Sequence, residues 1–198
     1  MRYKLLECHG FESAIKATML SFGTTSFDNF ETTPEDMKRL SNKLAPKDGG
    51  HNKFLEQIQY WILIQAPLLW WKEADTYRVG ISKSSESTMH KSWKNGLTDE
   101  NFEGPVFQDT LNNLNNCIRE YNSELATPER KHYLERLIFN NLPDGYLQTR
   151  MVNLNAKCLR NMYFQRKSHK LEIWREFCEW IKNELPYGDL ITAELRSD

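Results

Sequence analysis

Apolar positions along this chain recur with a helical period in most places. Phe107, Leu111, Leu114, Ile118 and Tyr121 step by four and three residues, which predicts an amphipathic helix. Thr127-Pro128-Glu129 opens another, with Leu134, Leu137 and Ile138 facing inward. Thr33-Pro34-Glu35-Asp36 is a third helix start: a capping hydroxyl, a proline at the first position, then acids near the positive end of the dipole. Met37, Leu40 and Leu44 form its stripe, and Glu12 to Phe22 suits a shorter helix. Leu171, Trp174, Cys178, Ile181 and Leu185 mark the last long helix, with Pro186 and Gly188 as its stop.

Strand patterns are fewer. Arg2 to His9 mixes apolar and polar residues as a first strand does. Phe54 to Leu69 is rich in aromatic and branched residues and predicts a buried strand ended by Pro67. Pro46 to Asn52 reads as a loop, and so does Ser82 to Ser92, which is dense in Ser, Thr and Lys. No internal repeat, low-complexity segment or linker interrupts the chain. The expectation is one α/β (α+β) domain over residues 1–198, a sheet packed with several long helices.

Composition narrows the class. A net charge of -1 gives no electrostatic footprint for a long nucleic acid, though local Arg and Lys still allow a small anion. Cys8, Cys117, Cys158 and Cys178 form no metal-ligand spacing, and the last three read as small core residues inside helical patterns. The longest apolar run, around Trp61 to Trp71, contains Gln65 and Pro67 and is too short to span a bilayer. No leader is visible, so the expectation is a cytoplasmic protein without membrane or metal. Trp61, Trp70, Trp71, Trp93, Trp174 and Trp180 suit large buried contacts, either in a core or between subunits.

The chemistry concentrates toward the C-terminus. Leu142-Pro143 reads as a turn, and the run from Leu154 to Arg166 as a helix. Lys157, Asn161 and Gln165 recur every four residues on one face, while Leu159, Met162 and Tyr163 form the opposite, apolar face. Arg166 falls on the apolar side, where an unpaired guanidinium is costly. Such a helix offers amide and cationic groups in two directions. No Ser-His-Asp or Cys-His constellation stands out, so no catalytic nucleophile is assigned.

This run, Asn155-Ala156-Lys157-Cys158-Leu159-Arg160-Asn161-Met162-Tyr163-Phe164-Gln165-Arg166 and then Glu172-Ile173, resembles the flavin-dependent thymidylate synthases. Those carry Leu-Pro, then Asn-Ala-Arg-Ser-Leu-x-Asn-Phe-Leu-x-Leu-Arg, then a helix with Glu-Ile. Gly50-His51-Asn52-Lys53-Phe54-Leu55-Glu56-Gln57 is similar to their Gly-His-x-Ser-x-x-Glu-His, with Lys53 and Gln57 departing from it. Their central motif, Arg-His-Arg-x-x-Ser-x-Asn-Glu-x-Ser-x-Arg-Tyr, resembles Thr76 to His90, one residue longer between Arg78 and Ser82. Arg78, Ser82 and Ser87 match. Thr76 and Tyr77 replace the first Arg-His, Ser84-Ser85 replace Asn-Glu with Glu86 one place late, and Met89-His90 replace Arg-Tyr. The family's arginine before Leu-Pro is Phe139 here, with Arg136 as an alternative. The resemblance runs from about Gly50 to about Glu184.

The resemblance implies one-carbon transfer from methylenetetrahydrofolate to dUMP, a pyrimidine deoxynucleotide monophosphate, with flavin (FAD) as reductant. The cofactor then does the hard step and the protein binds and orients. It implies Arg78, Ser82, Ser87 and Arg166 for the nucleotide. It implies His51, Arg78, Asn155, Lys157 and Asn161 for the flavin, more weakly held than in the family. It also implies a homotetramer. The altered central motif leaves two alternatives: hydroxymethylation of a pyrimidine nucleotide without flavin reduction, or a catalytically silent homologue that binds a nucleotide or a protein. From chemistry alone, the Ser-rich segment with its Arg and Lys suits a phosphate.

Overall fold

The computed structural model describes residues 1–47, 50–87 and 95–195. Thr88, Met89, His90, Ser92 and Trp93, which figured in the sequence reading, lie outside the described residues. Contacts divide the chain into two compact units. The first comprises Met1–Tyr3, Ile64–Thr76 and Ser84–Met151; the second comprises Lys4–Leu63, Tyr77–Lys83 and Val152–Asp198.

Four strands form one sheet in the order β1-β2-β4-β3. They are β1 (Arg2–His9), β2 (Gln59–Pro67), β3 (Ile81–Ser85) and β4 (Leu147–Asn155), and the boundary between units falls within each of them. The helices among the described residues are α1 (Phe11–Met19), α2 (Pro34–Leu44), α3 (Leu68–Ala74), α4 (Gln108–Tyr121), α5 (Pro128–Asn141), α6 (Ala156–Arg166), α7 (Glu172–Glu184) and α8 (Gly188–Ile191). The fold is α+β with more helix than strand, as the periodicity implied.

The helix starts obey the capping chemistry. Thr33 accepts from the Asp36 backbone N–H at 3.1 Å, and Thr127 accepts from that of Arg130 at 3.3 Å, each with proline at the first helical position. Each cap contributes on the order of 1 kcal/mol.

In the first unit, α4 packs on α5, and Leu111, Leu114, Ile118 and Ile138 meet Leu97, Phe102 and Tyr146 in one core. Phe107 departs from the expected stripe: it stands at the N-cap position of α4 and is 86% exposed. In the second unit, α6 packs on α7, on α8 and on the turn at Lys53–Gln57, with Leu159, Trp174, Phe177 and Ile181 buried. Gly188 does not end the last helix but begins α8. A side chain there would meet the carbonyl oxygens of Ile181 and Lys182 at 2.6 Å.

Four expectations change. Residues 53–57 form a 3-10 turn, so the strand expected from Phe54 begins at Gln59. Pro67 closes β2 and α3 follows at once; the Leu68 and Leu69 backbone N–H groups bond to the carbonyls of Tyr146 and Asp144 at 3.0 and 2.9 Å. Residues 82–85, expected in a loop, belong to the edge strand β3. The helix expected from Leu154 begins at Ala156, because Leu154 and Asn155 are the last two residues of β4.

Candidate functional site

Helix α6 collects the candidate residues of the second unit. It starts where β4 stops: Asn155 is the last strand residue, and its Oδ1 accepts from the Cys158 backbone N–H at 2.9 Å. The side chain expected to face a flavin is thus the N-cap of α6. The apolar face predicted for this helix is buried at Leu159, Met162 and Tyr163, while Asn161 and Gln165 are exposed.

Two loops close on this helix. From the first, Asn52 is fully buried; its Oδ1 accepts from the Lys157 ammonium and its Nδ2 donates to Ala45 O at 3.4 Å. This contact joins the His51 motif to the C-terminal motif, and it runs through a residue the sequence reading passed over. His51 itself is exposed.

From the second loop, Gly80 takes φ +69°, and a Cβ there would lie 2.9 Å from Asn155 Nδ2 and 3.1 Å from Cys158 Sγ. Only glycine meets both the left-handed backbone and the close approach without strain. Cys158 Sγ donates to Val79 O at 3.0 Å. Burial pushes the Cys158 thiol up, which favours its neutral form. It is half-buried rather than the core residue its period suggested.

Arg78 is exposed in this loop and makes no hydrogen bond or ion pair among the described residues. Its neighbour Tyr77 is heavily engaged. The phenol oxygen accepts from Arg166 Nε at 2.9 Å and donates to Gln165 Oε1 at 2.9 Å. Gln165 Nε2 in turn donates to Asn161 Oδ1 at 3.0 Å. The Arg166 guanidinium lies 4.7 Å over the Trp174 ring, and its Nη1 sits 3.0 Å from His169 Nε2. The cation on the apolar side of α6 is therefore stabilised by aromatic faces and by a hydroxyl.

Between the second loop and α6 lies a pocket of about 390 Å³, lined by Val79, Lys157, Cys158, Asn161, Phe164 and Leu195, with Arg160 in its wall. This is within the size range of small-molecule sites. It has cations and an amide but no carboxylate among its lining residues. Arg160 is fixed by the end of α8, donating to Ile191 O at 3.0 Å, and its guanidinium lies 4.7 Å from the Phe164 ring centroid.

The structure thus gathers Lys157, Asn161 and Arg166 on one helix capped by Asn155, with the Arg78 loop against it. Ser82 is exposed on β3 in the same unit. Ser87 and Glu86 belong to the other unit, where the Glu86 carboxylate accepts from the Thr149 backbone N–H at 2.9 Å. Arg136 is exposed on α5 there, and Phe139 is half-buried on the same helix. Sequence reasoning missed Asn52, Phe164 and Leu195. It treated Tyr77 and Gln165 only as a departure from the motif and as a polar face. Among the described residues no group of His, Cys, Asp and Glu is arranged to hold a metal, and no helix is long and apolar enough to cross a membrane.

No family model and no curated protein sequence matches the chain. Its architecture does match solved structures. Flavin-dependent thymidylate synthase ThyX from Helicobacter pylori, complexed with FAD and dUMP, superposes with a TM-score of 0.73 at 17% identity, covering 99% of this chain and 100% of that one. A second structure of Helicobacter pylori ThyX with FAD and dUMP gives 0.72 at 18% identity, covering 98% and 97%. The UMP/dUMP methylase PolB from Streptomyces cacaoi, bound with 5-Br dUMP, gives 0.61 at 15% identity, covering 91% and 88%. The chain has the fold of the flavin-dependent thymidylate synthases.

Proposed function

We propose that this chain is a divergent enzyme of the flavin-dependent thymidylate synthase type, acting on a pyrimidine deoxynucleotide monophosphate. The observation that carries the reading is the carboxylate-free pocket where Lys157 and Asn161 meet the Arg78 loop, in a fold whose solved neighbours hold FAD and dUMP. In this reading residues 1–198 are one domain of that type, which a likeness covering 99% of the chain supports.

In this reading Arg78, Ser82 and Arg166 hold the nucleotide, with Arg78 supplying an exposed planar fork suited to phosphate. The motif also assigns Ser87 to the nucleotide. Lys157 and Asn161 hold the flavin side, with His51 and Asn155 beside them. The donor set fits an anionic cofactor: cations and an amide line the pocket. The flavin supplies the reducing equivalents, methylenetetrahydrofolate the carbon and dUMP the acceptor. The chain's own residues bind, orient and exclude water. A neutral Cys158 thiol agrees with a reaction that needs no side-chain nucleophile. The protein works in the cytoplasm as a homotetramer.

The test is product analysis after incubation with dUMP, methylenetetrahydrofolate, FAD and a reductant for the flavin. Formation of dTMP supports the synthase. A hydroxymethylated nucleotide without flavin turnover supports the one-carbon alternative. Failure to bind dUMP at millimolar concentration would sink both, and failure to bind FAD would sink the synthase. Light scattering that gives a single chain's mass, 23.4 kDa, would count against the tetramer.

A further inference from the structure

Two residues that depart from the family motif, Tyr77 and Gln165, are joined to two that match it, Arg166 and Asn161. The order of donors is fixed. Arg166 Nε can only donate, so the Tyr77 oxygen accepts and its single hydrogen goes to Gln165 Oε1. The Gln165 amide then has only its nitrogen for Asn161, and it donates to Asn161 Oδ1. Asn161 is left with Nδ2, a pair of donors with no partner among the described residues, on a residue that lines the pocket. Each bond polarises the next, so the positive charge of Arg166 strengthens the donors at the far end. Trp174 under the guanidinium holds the starting point of the chain.

We propose that Tyr77 and Gln165 form a donor relay that makes the cation at Arg166 and the amide at Asn161 one unit. The inference rests on the functional reading above and goes beyond it in two ways. First, the pocket ligand meets Asn161 with an acceptor, a carbonyl or imide oxygen or a ring nitrogen lone pair, never with an N–H. Secondly, an anionic nucleotide on Arg166 and a ligand in the pocket sense each other through the relay. Tyr77 and Gln165 are positioning residues, since they act through the groups they orient.

The test is calorimetric titration of the full-length protein with FAD and with dUMP, singly and each in the presence of the other. Wild type, Tyr77→Phe and Gln165→Leu are compared, with melting temperature as the check on folding. The wild-type FAD affinity is expected to change by about fivefold or more when dUMP is bound, the usual scale of coupled sites. Both variants are expected to bring that ratio to about one while still binding each ligand. A merely structural role would weaken both ligands and leave the ratio in place, and that result overturns the relay. A wild-type ratio of one overturns it as well. Failure of the wild type to bind either ligand overturns the functional reading and this inference with it. Binding of both ligands with the same ratio in all three proteins overturns the relay alone.

Discussion

Lys157 donates its ammonium hydrogen to the side chain of Asn52, which is fully buried one residue after His51. A charged donor on a helix is thereby fixed by a neutral amide on a loop distant in sequence. The loop acquires a defined place on α6, and the lysine loses the freedom usual for its type.

Asn52→Leu is expected to destabilise the protein by about 1–3 kcal/mol. It removes one acceptor of the ammonium and leaves Ala45 O without that amide. Urea unfolding measures the effect. A midpoint equal to that of the wild type would show that the contact does not hold the loop.

Gly80→Ala should cost about 1–3 kcal/mol. The left-handed backbone is unfavourable for alanine by roughly 1–2 kcal/mol, and the new methyl presses on the Asn155 cap. Asn155→Ala alone should cost about 1 kcal/mol through loss of that cap. Because both act at the start of α6, the double variant should lose less than the sum of the two. Additive losses would mean that the glycine loop and the cap are independent.

Arg78→Ala should leave the melting temperature unchanged, since the side chain is exposed and makes no hydrogen bond or ion pair among the described residues. Its dUMP affinity should fall by about ten- to a hundredfold, the scale of one charged hydrogen bond. Arg166→Ala should weaken dUMP similarly but also lower stability, because it removes the guanidinium from Tyr77 and Trp174. Unchanged affinity in folded Arg78→Ala would remove that loop from the site.

Much of the fold was legible because it rests on local rules. The caps at Thr33 and Thr127 and the stripes of α4 and α7 depend on nearest neighbours along the helix. What stayed hidden is held by distant partners. In β4, the buried Gln148 reads as polar, yet its side-chain amide donates to Glu86 O at 3.1 Å and its backbone carbonyl accepts from Trp71 Nε1 at 2.9 Å. Arg150 sits 4.3 Å over the Trp71 ring and pairs with Asp75 at 3.0 Å. These residues erase the two-residue period that marks a strand. Helix α3 was hidden by its own aromatics, since Leu68 to Trp71 continue the apolar run of β2. At the site, the motif residues on α6 were legible by spacing. Their partners Asn52 and Tyr77 were not, because both lie far from α6 in sequence.

FAD should bind more weakly here than to a protein with the full family motif, with a dissociation constant above about 1 μM. Asn155 commits its side-chain oxygen to the cap and Lys157 donates to Asn52, which leaves fewer polar groups for a ligand. Lysine also offers a point charge where the motif has a planar fork. Fluorescence titration with oxidised FAD measures this. A submicromolar constant would show that other contacts compensate.

Alkaline pH should destabilise the fold in part through Cys178, whose thiol burial pushes up to about 12. A free thiol titrates near about 8.5, so the folded value is the higher one. Stability is intact below the free-thiol value and is lost as pH rises through the folded value. Burial pushes the Cys8 and Cys158 thiols and the Tyr60 phenol in the same direction. Between about pH 8 and about pH 10.5 the urea midpoint of the wild type should fall, and that of Cys178→Ala should fall less. Equal slopes would mean that Cys178 does not contribute.

The junction of β4 and α6 has no connecting residue: Asn155 closes the strand and caps the helix, and Val152, Leu154 and Ala156 alternate into the interior across it. The rotational phase of the helix is therefore inherited from the pleat of the sheet. Adding a single residue after Asn155 would turn α6 by about 100° about its axis, and removing one would turn it as far the other way. Either change would swing Lys157 and Asn161 away from the pocket and drive Leu159 toward water. Substitutions here can be absorbed one side chain at a time, but a change of length cannot.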